Sequence, residues 1–330
     1  MKTAYIFGAG STSGTLKNID HPPPDAANFG AAIEKFPEWE TEFRALAQVA
    51  EHLGQPLKEL GLEAIWSCLD YFAKLNTALP LQKPWKDESR TIKKALLHVY
   101  GEICDRAAED LPDSGNYTLG DIVKNKLREG DILISFNYDT LVENLAVRIG
   151  RVKPLRMVCS SHIQGVVWVA KPHGSASWCI DFKQGSLTWM EPNGGPRLKS
   201  LTGADLLNNC EPLMLGAVPI KSELIREVQE HCGFPAIHEV IMQQWRSVVA
   251  ALRDVERVVV LGYCFPAEDK YGRFLFQEAV RLRPKDKPPL EVEFYELPDK
   301  AGETCKNIFD ALGSKGLKVT YCGSVKPPPK

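Results

Sequence analysis

Residues Asp131–Glu143 read DILISFNYDTLVE, and the fold turns on how this stretch divides. Asp131–Phe136 is short and mostly apolar, the pattern of a buried strand. From Thr140 to Ile149 apolar residues recur at three- and four-residue spacing, which predicts a helix. Asn137, Tyr138 and Asp139 therefore fall where a strand ends and a helix begins. In an open α/β sheet this carboxyl edge is where ligands bind.

Similar units lie on either side. Ala4–Phe7 is a short apolar run ending in glycines, and Gly165–Lys171 (GVVWVAK) is a strand candidate ending at His173-Gly174. A predicted helix at Glu239–Arg253 precedes the strand RVVVLG (Arg257–Gly262), and a helix over Gly272–Leu282 follows it. The strand VEFYEL, a helix at Ala301–Leu312 and the strand LKVTYC complete the alternation. Trp178–Met190 alternates around Gln184-Gly185 as a hairpin does, PLMLGAVP is short and apolar, and the final KPPPK is expected to fray.

The stretch from Ala31 to Leu127 is different. FRALAQVAEHL, LEAIWSCLDYFAKL and TIKKALLHVYGEICDRAAEDL have helical spacing, with turn residues at Gly54–Pro56, Pro80–Pro84 and Pro112–Gly115. HPPPD (His21–Asp25) is read as a rigid loop. The expected architecture is α/β: a doubly wound, mainly parallel Rossmann-like sheet with a helical insertion after the first strand. Residues 1–30 and 128–325 would form the sheet domain and 31–127 the inserted helical subdomain.

Composition narrows the class. The 330 residues are 44% hydrophobic and 25% charged, as in ordinary globular proteins. A formal net charge of -2 does not favour nucleic acid or an anionic membrane. No apolar run reaches the length of about 18 residues that a spanning helix needs. MKTAYIFGAG lacks the apolar core of a secretory signal. The nine cysteines are scattered without a CxxC pair, which points to reduced thiols in a cytoplasmic protein and against a four-cysteine zinc site.

IFGAGSTSG follows the first strand, where a dinucleotide-binding turn would sit. Gly8 would permit the tight turn and Gly10 would let the backbone approach a pyrophosphate, with the following amides as donors. The spacing Gly8-x-Gly10-x-x-x-Gly14 is one residue longer than the usual fingerprint, and with Pro22–Pro24 ahead no good helix is expected directly after it. A tight surface turn without a ligand is the alternative. Asn137 and Asp139 likewise have a bland option, supporting a turn and capping a helix. His173, in AKPHGSASW, can act as a general base because its ordinary pKa lies near working pH. The other six histidines have no comparable context.

Together these segments resemble the sirtuin superfamily: a GAG-type phosphate loop, a strand-end Asn-x-Asp, a His-Gly after another strand, and a glycine-bearing strand end. GYCFPAED (Gly262–Asp269) is similar to the Gly-Tyr-Ser-x-x-x-x-Asp segment of its prokaryotic sirtuin-like branch, whose members are NAD hydrolases, often in anti-phage defence. The resemblance implies that Gly8, Ala9, Gly10, Ser11 and Thr12 hold the pyrophosphate of NAD, taken as substrate with no metal. It implies that Asn137 orients the nicotinamide ribose and attacking water, that Asp139 lies near the carboxamide, and that His173 is the catalytic histidine. Gly262 and Cys264 match a Gly-x-Ser near the adenosine ribose, with cysteine replacing serine. Glu296, at a strand end, would accept a ribose hydroxyl.

The zinc ribbon of deacylating sirtuins and the Gly-Ile-Pro-x-Phe-Arg stretch are both missing, which removes most support for deacylation. The resemblance thus implies cleavage of NAD to nicotinamide and ADP-ribose. It also implies a homo-oligomer, or a complex with a sensor such as a HerA-type ATPase or a short Argonaute, with no direct nucleic-acid contact and no membrane. Two other classes remain: a non-catalytic module that binds NAD or ADP-ribose and scaffolds a partner, and an NAD-dependent deacylase or ADP-ribosyltransferase.

Overall fold

The computed structural model describes residues 2–18, 29–33, 40–62, 64, 65, 68, 96–113, 116–148, 155–157, 167–181, 186–189, 210–214, 235–267, 269–313 and 316–328. Ten strands occur among them: β1 Thr3–Phe7, β2 Ile132–Ser135, β3 Leu155–Met157, β4 Val167–Ala170, β5 Gly174–Asp181, β6 Ser186–Trp189, β7 Cys210–Met214, β8 Arg257–Leu261, β9 Leu290–Tyr295 and β10 Leu317–Gly323. Seven form one sheet in the order β10-β9-β8-β1-β2-β4-β3, and every neighbouring pair is parallel. From the central β1 the chain moves to β2 and on to the edge strand β3, then comes back to lay β4 between β2 and β3. It then returns to the other side of β1 and builds through β8, β9 and β10. This is the doubly wound, Rossmann-like arrangement expected, and its direction reverses between β1 and β8.

The described elements between β1 and β2 are all helical. They are α1 Ala9–Thr15, α2 Phe29–Ile33, α3 Glu40–Leu53, a 3-10 turn at Leu57–Glu59, a π turn at His98–Glu102 leading into α4 Ile103–Asp110, and α5 Thr118–Asp121 followed by a π turn at Ile122–Lys126. Beyond β2 come α6 Leu141–Arg148, α7 Pro235–Asp254, α8 Lys270–Arg281 and α9 Ala301–Leu312. The HPPPD loop and most of the helix expected over 62–75 lie outside the described residues.

Strand alternation divides the core into two layers. Ala4, Ile6, Ile132, Ile134, Val258 and Val260 face α7, α8 and α9, meeting Val248, Leu252, Phe276 and Ile308. Tyr5, Phe7, Leu133, Val259 and Leu261 face the opposite way, onto α6 and the segment from Cys104 to Leu127. The end of the helical stretch between β1 and β2 is thus part of the sheet's own cover.

A second, three-stranded sheet, β6-β5-β7, starts at Gly174. Its β5–β6 pair is the expected hairpin, antiparallel with Trp178 opposite Trp189 and Asp181 opposite Ser186. The expected frayed tail is corrected over Lys326–Pro328. Lys326 N donates to Thr118 Oγ1 at 2.8 Å, Thr118 N donates to Lys326 O at 3.1 Å, and Asn18 Nδ2 donates to Pro328 O at 3.0 Å. Prolines lack an amide donor but keep a carbonyl acceptor, and the tail is held by the Pro328 carbonyl together with the amide and carbonyl of Lys326. Among the described residues no helix is long and apolar enough to cross a membrane.

Candidate active site

Five adjacent parallel strands end in a row, and each delivers a residue singled out in the sequence. In spatial order β4 leads to His173, β2 to Asn137, β1 to Gly8, β8 to Gly262 and β9 to Glu296. The row straddles the reversal between β1 and β8, the position where ligands bind in open sheets of this kind.

At the reversal itself the two glycine turns touch backbone to backbone. A Cβ on Gly8 would stand 2.5 Å from Gly262 O, and one on Gly10 would stand 2.9 Å from Gly262 Cα. Gly262 has φ +56, and a Cβ there would lie 2.2 Å from Ser11 N. The neighbour that excludes a side chain at Gly10 is therefore the protein's own β8 turn. The amides of Gly8 and Gly10 donate to Leu261 O and Gly262 O, both at 3.0 Å, and Ser11 N donates to Gly8 O at 2.8 Å. Ala9 N, first in its helix, has no acceptor among the described residues. The turn does run straight into a helix, α1, where none was expected. Its sequence AGSTSGT has no apolar stripe because Ser11, Thr12 and Thr15 are buried instead.

Asn137 joins β2 to this turn. Its Nδ2 donates to Gly8 O at 3.0 Å and to Thr12 Oγ1 at 3.0 Å, with Ser11 Oγ at 3.4 Å. Thr12 Oγ1 in turn donates to Asp139 Oδ2 at 2.8 Å, while Asp139 Oδ1 accepts from Leu141 N at 3.1 Å. The second bond is the cap that the bland option anticipated, and the first is a contact that a cap does not require. Burial pushes the Asp139 carboxyl up to about 6, although Lys171 pulls it down. Beneath it Lys171 and Glu143 form an ion pair at 2.7 Å, both side chains 0% exposed, and Lys171 Nζ also donates to Asp139 O. Neither partner was singled out in the sequence. The available signal was a lysine at the end of the apolar run Gly165–Lys171 and a glutamate in the first turn of the helix that follows Asp139.

His173 occupies a tight turn between β4 and β5, closed by Gly174 N donating to Lys171 O at 2.9 Å. Its ring meets Phe136 edge-on at 5.0 Å, and Phe136 stacks on Tyr263 at 4.3 Å. His173 Nε2 lies 3.1 Å from Asp269 Oδ2. That oxygen accepts the Tyr263 hydroxyl at 2.7 Å, and burial together with Asp269 holds the Tyr263 phenol well above its ordinary value. Asp269 belonged to the GYCFPAED motif but was given no role.

The remaining candidates lie farther along the row. Cys264 is exposed and its carbonyl accepts from Asn307 Nδ2 at 3.0 Å. Glu296 is buried, which pushes its carboxyl up, and its Oε1 accepts from the neighbouring Leu297 amide at 2.9 Å. Gly262 N donates to Tyr295 O at 3.0 Å, so β9 is tied to the glycine turn. Among the described residues no group of three or more His, Cys, Asp or Glu is placed to hold a metal ion.

No family model matches the chain, and no curated protein matches it. A solved structure described as "The Structural basis for Sirtuin Substrate affinity" aligns over 94% of this chain and 92% of its own, with a TM-score of 0.36 and 13% identity. A likeness that distant carries no argument about activity, which rests on the site.

Proposed function

We propose that the chain is an NAD hydrolase, converting NAD and water to nicotinamide, ADP-ribose and a proton. The observation that supports this reading is the link from Asn137 to Gly8 and Thr12 and onward to Asp139. It gathers the polar residues of two adjacent strand ends at the reversal of a Rossmann-like sheet. The pyrophosphate would lie along Gly8–Thr12, with the Ala9 amide as donor, and the adenosine toward Gly262, Cys264 and Glu296.

Cleaving the ribose–nicotinamide bond builds positive charge on the ribose ring, as in glycoside hydrolysis. Holding the ribose hydroxyls and one water in place lowers that barrier through orientation. Asn137 suits this task. Its Nδ2 is fixed by the Gly8 carbonyl, a pure acceptor, so its Oδ1 is the end available to a hydroxyl or water. Asp139 would hold the departing carboxamide, and His173 would take the proton from the ribose hydroxyl or the water. Depletion of NAD would require control by self-association or by a sensor partner, as in anti-phage defence.

The alternative is a non-catalytic module that binds NAD or ADP-ribose, and in both readings one observation limits what the turn can offer a pyrophosphate. The turn's donors at Gly8, Gly10, Ser11 and Thr12 already have acceptors inside the protein, as in a turn that serves packing. Product analysis separates the two readings. The purified chain, alone and with a candidate partner, is incubated with NAD. Hydrolysis predicts nicotinamide and ADP-ribose in equal amounts with no label on protein. NAD binding by calorimetry without either product supports the binding module.

A further inference from the structure

Lys171 is wholly buried, which a lysine rarely is unless its charge is paired. Its main chain and its side chain act on two different loops of the candidate site. The backbone carbonyl accepts from Gly174 N at 2.9 Å, closing the turn that carries His173, and the backbone amide donates to Gln244 Oε1 at 3.2 Å. The ammonium reaches the Asn137–Asp139 loop instead, donating to the Asp139 carbonyl and to Glu143 Oε1. Ala176 N, five residues on, donates to the adjacent Tyr138 carbonyl at 2.8 Å. The chain from β4 into β5 thus grips this loop at two consecutive carbonyls. For stability alone, an apolar pair of similar volume would serve as well as the Lys171–Glu143 ion pair. Glu143 Oε2 also finds no hydrogen-bond partner among the described residues.

We propose that Lys171 is the positioning residue of the Asn137–Asp139 loop, its ammonium pinning the Asp139 backbone and setting a positive charge against the carboxylate that is to receive the carboxamide. The inference rests on the NAD reading of this edge. Asp139 Oδ2 accepts from Thr12 Oγ1 at 2.8 Å, and Thr12 Oγ1 accepts from Asn137 Nδ2 at 3.0 Å, so a displaced Asp139 backbone disturbs the whole link. A protonated Asp139 would present a donor where the carboxamide NH2 needs an acceptor. Burial pushes this carboxyl up, Lys171 pulls it down, and Glu143 pushes it up by less than the lysine pulls. Two further titratable groups face the loop from α4. Asp105 accepts from Thr140 Oγ1 and Asn144 Nδ2, and the Cys104 thiol is pushed well up, first by burial.

Carboxyl-carbon spectra of the full chain carrying isotope-labelled aspartate follow the titration of Asp139, whose signal is assigned by its loss in Asp139→Asn. The double variant Lys171→Met/Glu143→Leu replaces the ion pair with apolar side chains, which should keep the fold while removing the charge and the bond to the loop. Its Asp139 midpoint is expected about one pH unit above the parent's, in keeping with what a neighbouring cation does to a carboxyl. Its kcat for nicotinamide release at pH 7 should fall about 10-fold or more with a smaller change in KM, because orientation is lost rather than binding. Glu143→Gln keeps the lysine and the shape of the site, so its Asp139 midpoint should lie below the parent's, and it serves if the double variant does not fold. In the double variant, an Asp139 midpoint no higher than the parent's or a parental kcat would overturn the proposal, as would a midpoint no lower than the parent's in Glu143→Gln. A parent that releases no nicotinamide removes the NAD reading, while the midpoints still decide whether Lys171 governs Asp139.

Discussion

The Asp139 carboxyl is held up to about 6, first by burial, against an ordinary value of 3.8. A carboxyl raised in the folded state contributes stability that is complete below the unfolded pKa and is lost as pH rises through the folded one. The window is therefore roughly pH 4 to 6, and a shift of this size is worth about 3 kcal/mol at most. Asp139→Asn removes the titration. Its unfolding free energy relative to the parent should increase by about 2 to 3 kcal/mol between pH 4 and 7, read from denaturant midpoints. A difference independent of pH would show that burial does not set this carboxyl. Gly262 offers a test of backbone geometry. Positive φ and a Cβ colliding with Ser11 N and Gly10 predict that Gly262→Ala costs about 3 kcal/mol or more. Asn137, Asp139 and His173 were legible because each lies in a recognisable strand-end motif. Asp269 was not assigned, since its approach to His173 brings together two distant loops and one-dimensional spacing carries no sign of it.

At the scale of elements, β4 and α6 are locked by the buried Lys171–Glu143 pair beneath the Asp139 loop. Removing one partner leaves a charge buried without its counter-ion, which costs about 3–5 kcal/mol. Lys171→Met should therefore unfold at lower denaturant, and adding Glu143→Leu should recover much of the loss. Additive losses in the double variant would show that the pair is not coupled. α4 reaches the same loop through Asp105, which accepts from Thr140 Oγ1 at 2.5 Å and Asn144 Nδ2 at 3.1 Å. Strands and the helices after them could be read from apolar periodicity. α1 could not, because its buried residues are Ser11, Thr12 and Thr15, with the Ser11 and Thr12 hydroxyls bonded to Gly8 O and Asp139, which leaves no apolar periodic signal. The tail was expected to fray as terminal segments do, and what holds it, bonds from Lys326 and Pro328 to Thr118 and Asn18, joins residues more than 200 positions apart.

For the whole molecule, the sheet order places five strand ends side by side around one reversal, so residues scattered from Gly8 to Glu296 lie along one edge of the sheet. Alternation of strands and helices was enough to anticipate a doubly wound sheet. It could not anticipate that the β8 turn would press on the β1 turn, since that contact depends on two glycines meeting in space. The central claim is that this edge cleaves NAD through Asn137 and His173. The direct measurement is the rate of nicotinamide release by the parent, Asn137→Ala and His173→Ala, each shown to be folded and assayed with and without a partner. The account predicts release by the parent and a loss of about 100-fold or more in each variant. Variants as fast as the parent would contradict it.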